Sequence, residues 1–146
     1  MSKVKALNIN DIEQIQPLWM GLNEVHYRHS NYWKDHFATY SFEERMKKIQ
    51  EADDFSIFCS RDGDELTGYC ICSVRKGAGE IDSIFVREQK RNSSVGRQLA
   101  ENALAWLAEK KVAEIRVTIA EGNESVMGFY QKLGFLPYTT TLKIKP

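Results

Sequence analysis

Three strand-like runs follow one another with only turn-sized gaps between them, and this constrains the fold more than any other feature. Phe55–Ser60 and Leu66–Val74 flank the turn signal Arg61-Asp62-Gly63-Asp64, and Gly77-Ala78-Gly79 leads into Glu80–Val86. Connections this short have no room for a parallel crossover, so the three runs predict an antiparallel meander. Beyond Val86 the period changes. Val95, Leu99, Ala103, Trp106 and Leu107 recur at helical spacing, and Glu114–Ile119 then reads as a strand, which together make a βαβ-like crossover.

The flanks complete the pattern. Lys3–Leu7 is a short β-like segment. Asn10 and Glu13 mark a helix start, followed by Ile12, Ile15, Leu18, Trp19, Leu22 and Val25 at helical spacing, with a kink predicted at Pro17. Ser41 and Glu44 form a second capping box, with Phe42, Met46 and Ile49 on one helix face. Val126, Phe129, Tyr130 and Leu133 mark a last helix, stopped by Gly134, and Tyr138–Ile144 reads as a final strand. The predicted order is β-α-α-β-β-β-α-β-α-β. The fold class is α/β, an α+β sandwich with a mixed, mainly antiparallel central sheet flanked by helices.

A chain of 146 residues with 42% hydrophobic content fits one domain, residues 1–146, with its own core. Its 20 basic and 20 acidic residues cancel, so no global field attracts nucleic acid or anionic lipid. No apolar run approaches a membrane span, and the opening MSKVKALNIN lacks a secretory hydrophobic region; the expected location is cytoplasmic. Cys59, Cys70 and Cys72 are odd in number and poorly spaced for zinc, and they read as packed, reduced thiols. His26 and His29 lack partner ligands nearby, so no metal is expected.

Against this neutral background one cluster stands out. Gln89–Ala100 (QKRNSSVGRQLA) joins a strand to a helix, and Arg87, Lys90, Arg91 and Arg97 fall within eleven residues of one another. Free N–H groups at a helix start, the positive end of its dipole and the amides of the preceding turn suit a phosphate or pyrophosphate. No Walker A tripeptide and no Rossmann glycine pattern is present.

Read with its surroundings, Arg91-Asn92-Ser93-Ser94-Val95-Gly96 resembles the Q/R-x-x-G-x-G/A signature of the GNAT superfamily of N-acetyltransferases. Asn123 through Phe135 (NESVMGFYQKLGF) resembles its second motif. The resemblance is strong from Ile81 to Pro137 and implies a GNAT-like fold. It also implies acetyl-CoA as cosubstrate, held through its pyrophosphate by Arg91, Asn92, Ser93, Ser94, Val95, Gly96 and Arg97. Ser94 stands where the signature has its first glycine; its hydroxyl is placed either to cap the helix or to donate to a phosphate oxygen. Asn123 either holds pantetheine or caps the last helix. Backbone N–H groups near Phe85 and Val86, where the fourth strand splays from the fifth, would hold the oxyanion.

An alkyl ammonium titrates near ~10.4, so deprotonating it at pH 7 costs roughly 4.6 kcal/mol, and a base helps. The developing oxyanion needs a fixed N–H donor, and the leaving thiolate a proton. The resemblance implies Tyr130 as the acid and Glu80 as the strand-borne base, with Asp82 or a water chain as alternatives. The acceptor, a small-molecule or peptide amine, would lie under the first two helices and the aromatic stretch His26–Tyr40. Glu24, Tyr27 and Tyr32 are the candidate contacts there, by carboxylate pairing and cation–π attraction. A non-catalytic acyl-CoA-binding or regulatory module on the same scaffold is the alternative, with Ser94 in its favour. Relatives are often homodimers, and LKIKP at the C-terminus shows no decisive apolar patch, which leaves the oligomeric state open.

Overall fold

A computed structural model describes residues 3–91 and 93–146. Five strands form one sheet in sequential order: β1 (Lys3–Ala6), β2 (Asp54–Asp62), β3 (Glu65–Arg75), β4 (Ala78–Val86) and β5 (Glu114–Val117). The first four run antiparallel, and β5 pairs with β4 in parallel. The meander and the crossover are therefore both present, and the α/β sandwich class holds.

Short turns set the registers. Lys76 and Gly77, both at positive φ, form the two-residue link from Arg75 to Ala78, where a primed turn matches the strand twist. Two bulges interrupt the ladders. One falls in β2–β3 after Ser60. The other places Ser83 opposite Ile71 and Ile81 opposite Cys72, which leaves Asp82 without a partner residue on β3.

The helices cover both faces. On one, Ile15, Leu18, Trp19, Phe42, Met46 and Ile49 pack on Ile57, Cys59, Tyr69 and Ile71. They come from the 3₁₀ turn Ile9–Ile15, α1 (Gln16–His29) and α3 (Phe42–Gln50). On the other, Val95, Leu99, Ala103 and Leu107 of α4 (Val95–Glu109) pack on Phe58, Cys70, Cys72 and Ile81. Buried on both sides, β3 has eight consecutive buried residues from Leu66 to Ser73. The three thiols are free and buried, Cys70 and Cys72 in one core layer and Cys59 in the other. No helix among the described residues is long and apolar enough to cross a membrane.

Four local expectations change. Asn8, not Asn10, caps the first helical segment, its side chain accepting from Asn10 N at 2.9 Å. Pro17 produces no mid-helix kink, because the 3₁₀ turn ends at Ile15 and Pro17 stands in the first turn of α1, where no intrahelical N–H is needed. An additional short helix, α2 (Lys34–Thr39), forms within the aromatic stretch. Residues 135–146 form no strand: Leu142 and Ile144 are 91% and 92% exposed, so the alternation over Tyr138–Ile144 finds no face to bury. The Ser41 cap forms as expected, accepting from Glu44 N at 3.1 Å. The last helix, α5 (Met127–Lys132), comes after a 3₁₀ turn over Glu124–Val126.

Candidate functional site

The sheet opens where β4 leaves β5. Their ladder covers Ala78–Ile81 against Glu114–Val117, and beyond it the chains part. The gap is the floor of a cleft of about 380 Å³. Glu80 to Ile84 form one wall, Val117 to Ala120 another, and Asn123, Val126 and Tyr130 close it from the α5 side. Trp19, Asn23 and His26 of α1, His36 and Phe37 of α2, Tyr40, and Arg45 of α3 form the roof.

The bulge on β4 determines what this cleft contains. Ser73, opposite Glu80, and Ile71, opposite Ser83, lie two residues apart on β3 and so share a face. With Asp82 inserted between their partners, Glu80, Asp82 and Ser83 share the cleft side of the strand, while Ile81 and Ile84, which also border the cleft, belong to the α4 core layer. Uninterrupted alternation would have sent Ser83 to the other side. Tyr69 and Ser83 share a hydrogen bond of 2.7 Å at the floor.

Two carboxylates thus share one poorly solvated wall. Burial raises the proton affinity of Glu80 above the ordinary carboxylate value, and the Asp82 charge adds to this; Arg45, Arg75 and Arg116 work against it. The Asp82 side chain is 2% exposed and also titrates high because it is buried. Its Oδ1 lies 3.5 Å from Arg75 Nη1, its backbone carbonyl accepts from Arg45 Nη2 at 2.8 Å, and its Oδ2 has no hydrogen-bond partner among the described residues. Above them, burial lowers the pKa of His26 and of His36, so both rings are biased toward the neutral form. His26 Nδ1 also lacks a partner among the described residues. The roof is aromatic and uncharged apart from Arg45.

Tyr130 is 7% exposed and packs edge-on against Phe129 and Phe135, with ring centroids 5.2 and 5.8 Å away. Burial pushes its phenol well above the usual value, so it keeps its proton throughout the physiological range. The neighbouring Phe129 reaches the start of α4: a Cβ built on Gly96 would lie 3.5 Å from Phe129 Cε1 and 3.7 Å from Val86 Cγ2. This contact brings the helix start, the end of β4 and the last helix together.

At the start of α4, Gln98 N makes its helical bond to Ser94 O at 2.9 Å. The N–H groups of Val95, Gly96 and Arg97 come earlier in the first turn, where a helix supplies no acceptor. Ser94 adopts φ −81°, ψ 5°, a conformation open to any L residue, so a glycine is not required there. Its hydroxyl makes no cap bond; it accepts from Gln98 Nε2 at 2.8 Å, which leaves its own hydrogen for a second acceptor. Ser93 Oγ donates to Lys90 O. Asn92 lies outside the described residues. The cations of the cluster are engaged within the protein: Arg87 with Glu65 and Leu66 O, Lys90 with Asp62, Arg91 with Val86 O and the Phe85 ring, and Arg97 with Glu101. An anion here would meet the main-chain N–H groups of the first turn together with the Nη groups that these Nε contacts leave open.

Other expected residues are distributed unevenly. Asn123 lines the cleft, and its side chain makes no cap bond to the turn after it. Phe85 and Val86 do not line it: Phe85 packs with the α1 and α3 layer and Val86 with the α4 layer. The strands part earlier, at Asp82. Glu24 and Tyr27 line a separate groove outside the roof, where Glu24 pairs with Arg28 and Lys34 lies over the Tyr27 ring. Tyr32 is 64% exposed. The residues that meet the cleft instead, Asn23, Arg45 and Ile119, are scattered along the chain, and no local pattern marks them. No group of three His, Cys, Asp or Glu that could hold a metal occurs among the described residues.

Comparison with known proteins agrees with this geometry. The model of the acetyltransferase (GNAT) family matches residues 18–135. The peptidyl-lysine N-acetyltransferase YjaB of Escherichia coli (strain K12) is 32% identical over 72 residues, 49% of this chain and 43% of that protein; the match thus spans less than half of the relative's length. Among solved structures, a tetramutant of the BH1408 protein from Bacillus halodurans superposes with a TM-score of 0.76 at 18% identity, covering 99% of each chain. AAC(6′)-Iy, in complex with the bisubstrate analogue CoA-S-monomethyl-acetylneamine, gives 0.73 at 18% identity, over all of this chain and 98% of the other. At such identities the structural likeness is one of fold, whereas the family match extends over most of the sequence. The chain belongs to the GNAT acetyltransferase family.

Proposed function

We propose that this chain is an acetyl-CoA-dependent N-acetyltransferase that passes an acetyl group directly to a primary amine. The observation behind this reading is the meeting of Glu80 and Tyr130 on one cleft, with Phe129, the neighbour of Tyr130, beside Gly96 at the first turn of α4. Their protonation states suit the reaction. A half-buried carboxylate with raised proton affinity is a better partner for an ammonium proton than a solvated one. The buried Tyr130 phenol holds its proton near neutrality, so a proton is in place for the leaving thiolate; because burial also makes it a weaker acid, the transfer to sulfur is concerted with return of an amine proton.

Acetyl-CoA supplies an activated thioester carbonyl when bound. The residues present fit it: the N–H groups of Val95, Gly96 and Arg97 and the free hydrogen of Ser94 are available to a pyrophosphate. Asn123 lines the cleft, where it is available to the pantetheine arm. The acceptor ammonium gives one proton to Glu80 and attacks as the free amine. As the new C–N bond forms and the C–S bond breaks, Tyr130 passes its proton to sulfur and is restored by the second amine proton. The aromatic roof excludes water from the thioester and favours a cation over its π faces. Asp82, closer to Arg75 and more deeply buried, serves as a fixed charge beside the base.

Release of free CoA thiol from acetyl-CoA, measured over a panel of primary amines that includes small polyamines, an aminoglycoside and a lysine peptide, tests the reading. Amine-dependent release is expected. Thermal stabilisation by acetyl-CoA without turnover of any amine would instead identify a binding module.

A further inference from the structure

The walls of the cleft belong to segments far apart in sequence. Asn23, His26 and His36 come from α1 and α2, whereas Ile119, Asn123 and Tyr130 lie in the chain beyond β5. The segments that carry these two walls are joined by one side chain. Glu121 Oε1 accepts from Ser30 Oγ at 2.8 Å, Asn31 N at 3.1 Å and Tyr32 N at 3.2 Å, while Oε2 accepts from Asn31 N at 3.0 Å and Asn31 Nδ2 at 3.1 Å. Ser30 is 2% exposed, ends α1 and also accepts from Trp33 N at 2.9 Å, so the carboxylate organises the whole α1–α2 link.

The next residue makes the seam close. Gly122 has φ +93°, and a Cβ on it would lie 2.2 Å from His29 O, so the chain after β5 is pressed onto the C-terminal end of α1 at the one residue type that allows it. Two independent features, an acceptor-rich carboxylate and a glycine contact, therefore lock the same two segments together.

We infer that Glu121 is a positioning residue for the amine acceptor, clamping the α1–α2 roof to the wall that leads into Tyr130. The inference rests on the transferase reading. Without the clamp, the roof residues His26 and His36 lose their fixed distance from Asn123 and Tyr130, while the first turn of α4, on the other side of the sheet edge, keeps its geometry. The deficit should therefore fall on the amine and spare the cosubstrate. Displacing a reactant by about 1 Å can lower a rate by roughly 10²-fold.

The test is steady-state kinetics of Glu121→Ala and Glu121→Gln with both substrates varied, together with amide hydrogen exchange at Asn31 and Tyr32. For Glu121→Ala, kcat/KM for the amine should fall by ~10²-fold, chiefly through KM, with KM for acetyl-CoA and the melting shift it produces unchanged. Glu121→Gln keeps one acceptor oxygen and should fall between the two. Exchange at Asn31 and Tyr32 should quicken in the same order. An unchanged amine KM, an equal rise in both KM values, or unchanged exchange in Glu121→Ala would overturn the clamp. Wild-type protein that turns over no amine would instead overturn the transferase reading, with exchange still deciding whether the seam exists.

Discussion

Arg75 Nη1 lies 3.5 Å from Asp82 Oδ1, on a carboxylate whose other oxygen faces no hydrogen-bond donor among the described residues. Asp82 is a buried carboxylate within reach of the Ser73 hydroxyl and the Arg45 and Arg75 charges, and it sits beside the proposed base. Asp82→Asn keeps the shape and removes the charge. Because Asp82 raises the proton affinity of Glu80, the variant should move the acid limb of the kcat/KM profile to lower pH. Its own pKa is raised in the fold, so the native state holds that proton more tightly than the unfolded chain, and stability declines as pH rises past the ordinary carboxylate value. Asp82→Asn should accordingly melt higher than wild type at pH 8 and lose that advantage near pH 4. Rate and melting profiles against pH check both halves; an unmoved acid limb would remove Asp82 from the neighbourhood of the base.

Tyr130 contributes both packing and a hydroxyl. Tyr130→Phe retains the edge-on contacts with Phe129 and Phe135, so the fold should persist. General-acid assistance contributes about 10²–10⁴-fold, and kcat should fall within that range while acetyl-CoA affinity stays near wild type. Calorimetric titration with acetyl-CoA beside turnover assays separates the two quantities, and an unaltered kcat would exclude Tyr130 as the acid.

At Gly96 a Cβ meets only ordinary contacts, 3.5 Å from Phe129 and 3.7 Å from Val86. Gly96→Ala should bind CoA nearly as wild type does. Gly96→Asp places a negative charge at the amides proposed for the pyrophosphate and should weaken binding by at least about 10-fold, or ~1.4 kcal/mol. Equal affinities for the two variants would argue against an anion at that helix start.

The three cysteines bear on whether the acetyl group passes through the protein. Burial pushes the Cys59 and Cys72 thiols up to about 12 and raises that of Cys70 well above the ordinary value too. Thiolates are scarce and inaccessible in the folded state, which opposes a cysteine-bound acyl intermediate. Iodoacetamide at pH 8 should leave activity intact and label the chain only after unfolding, as read by mass spectrometry. Inactivation in step with labelling of one cysteine would contradict direct transfer.

The elements that appeared as expected share one physical character: each is specified within its own short window. Periodicity over Phe55–Val86 needs only neighbouring residues to define three strands, and Val95–Leu107 needs only its own spacing to define α4. Tyr130 and Glu80, named through the family resemblance, both line the cleft, and their roles belong to the proposal. Where a local signal depended on a partner, it failed. Tyr138–Ile144 alternates like a strand, yet without a face to cover, its Leu142 and Ile144 remain in solvent. Glu24 and Tyr27 line a groove other than the cleft, and Tyr32 is exposed, a distribution that local spacing does not encode.

The sequence by itself determined the meander, the crossover and the helix-start loop, because hydrophobic period and turn chemistry act over a few residues; Tyr130 and Glu80 were named through the family resemblance. Tertiary structure alone decided the rest. The bulge that brings Asp82 and Ser83 to the same face depends on how β3 meets β4. The acceptors that meet Arg87, Lys90, Arg91 and Arg97 come from Glu65, Asp62, Val86 O and Glu101, and only the fold brings them together. The Glu121 clamp joins residues some 90 positions apart. Hydrogen bonds and desolvation are set by three-dimensional proximity, and no window of sequence contains it.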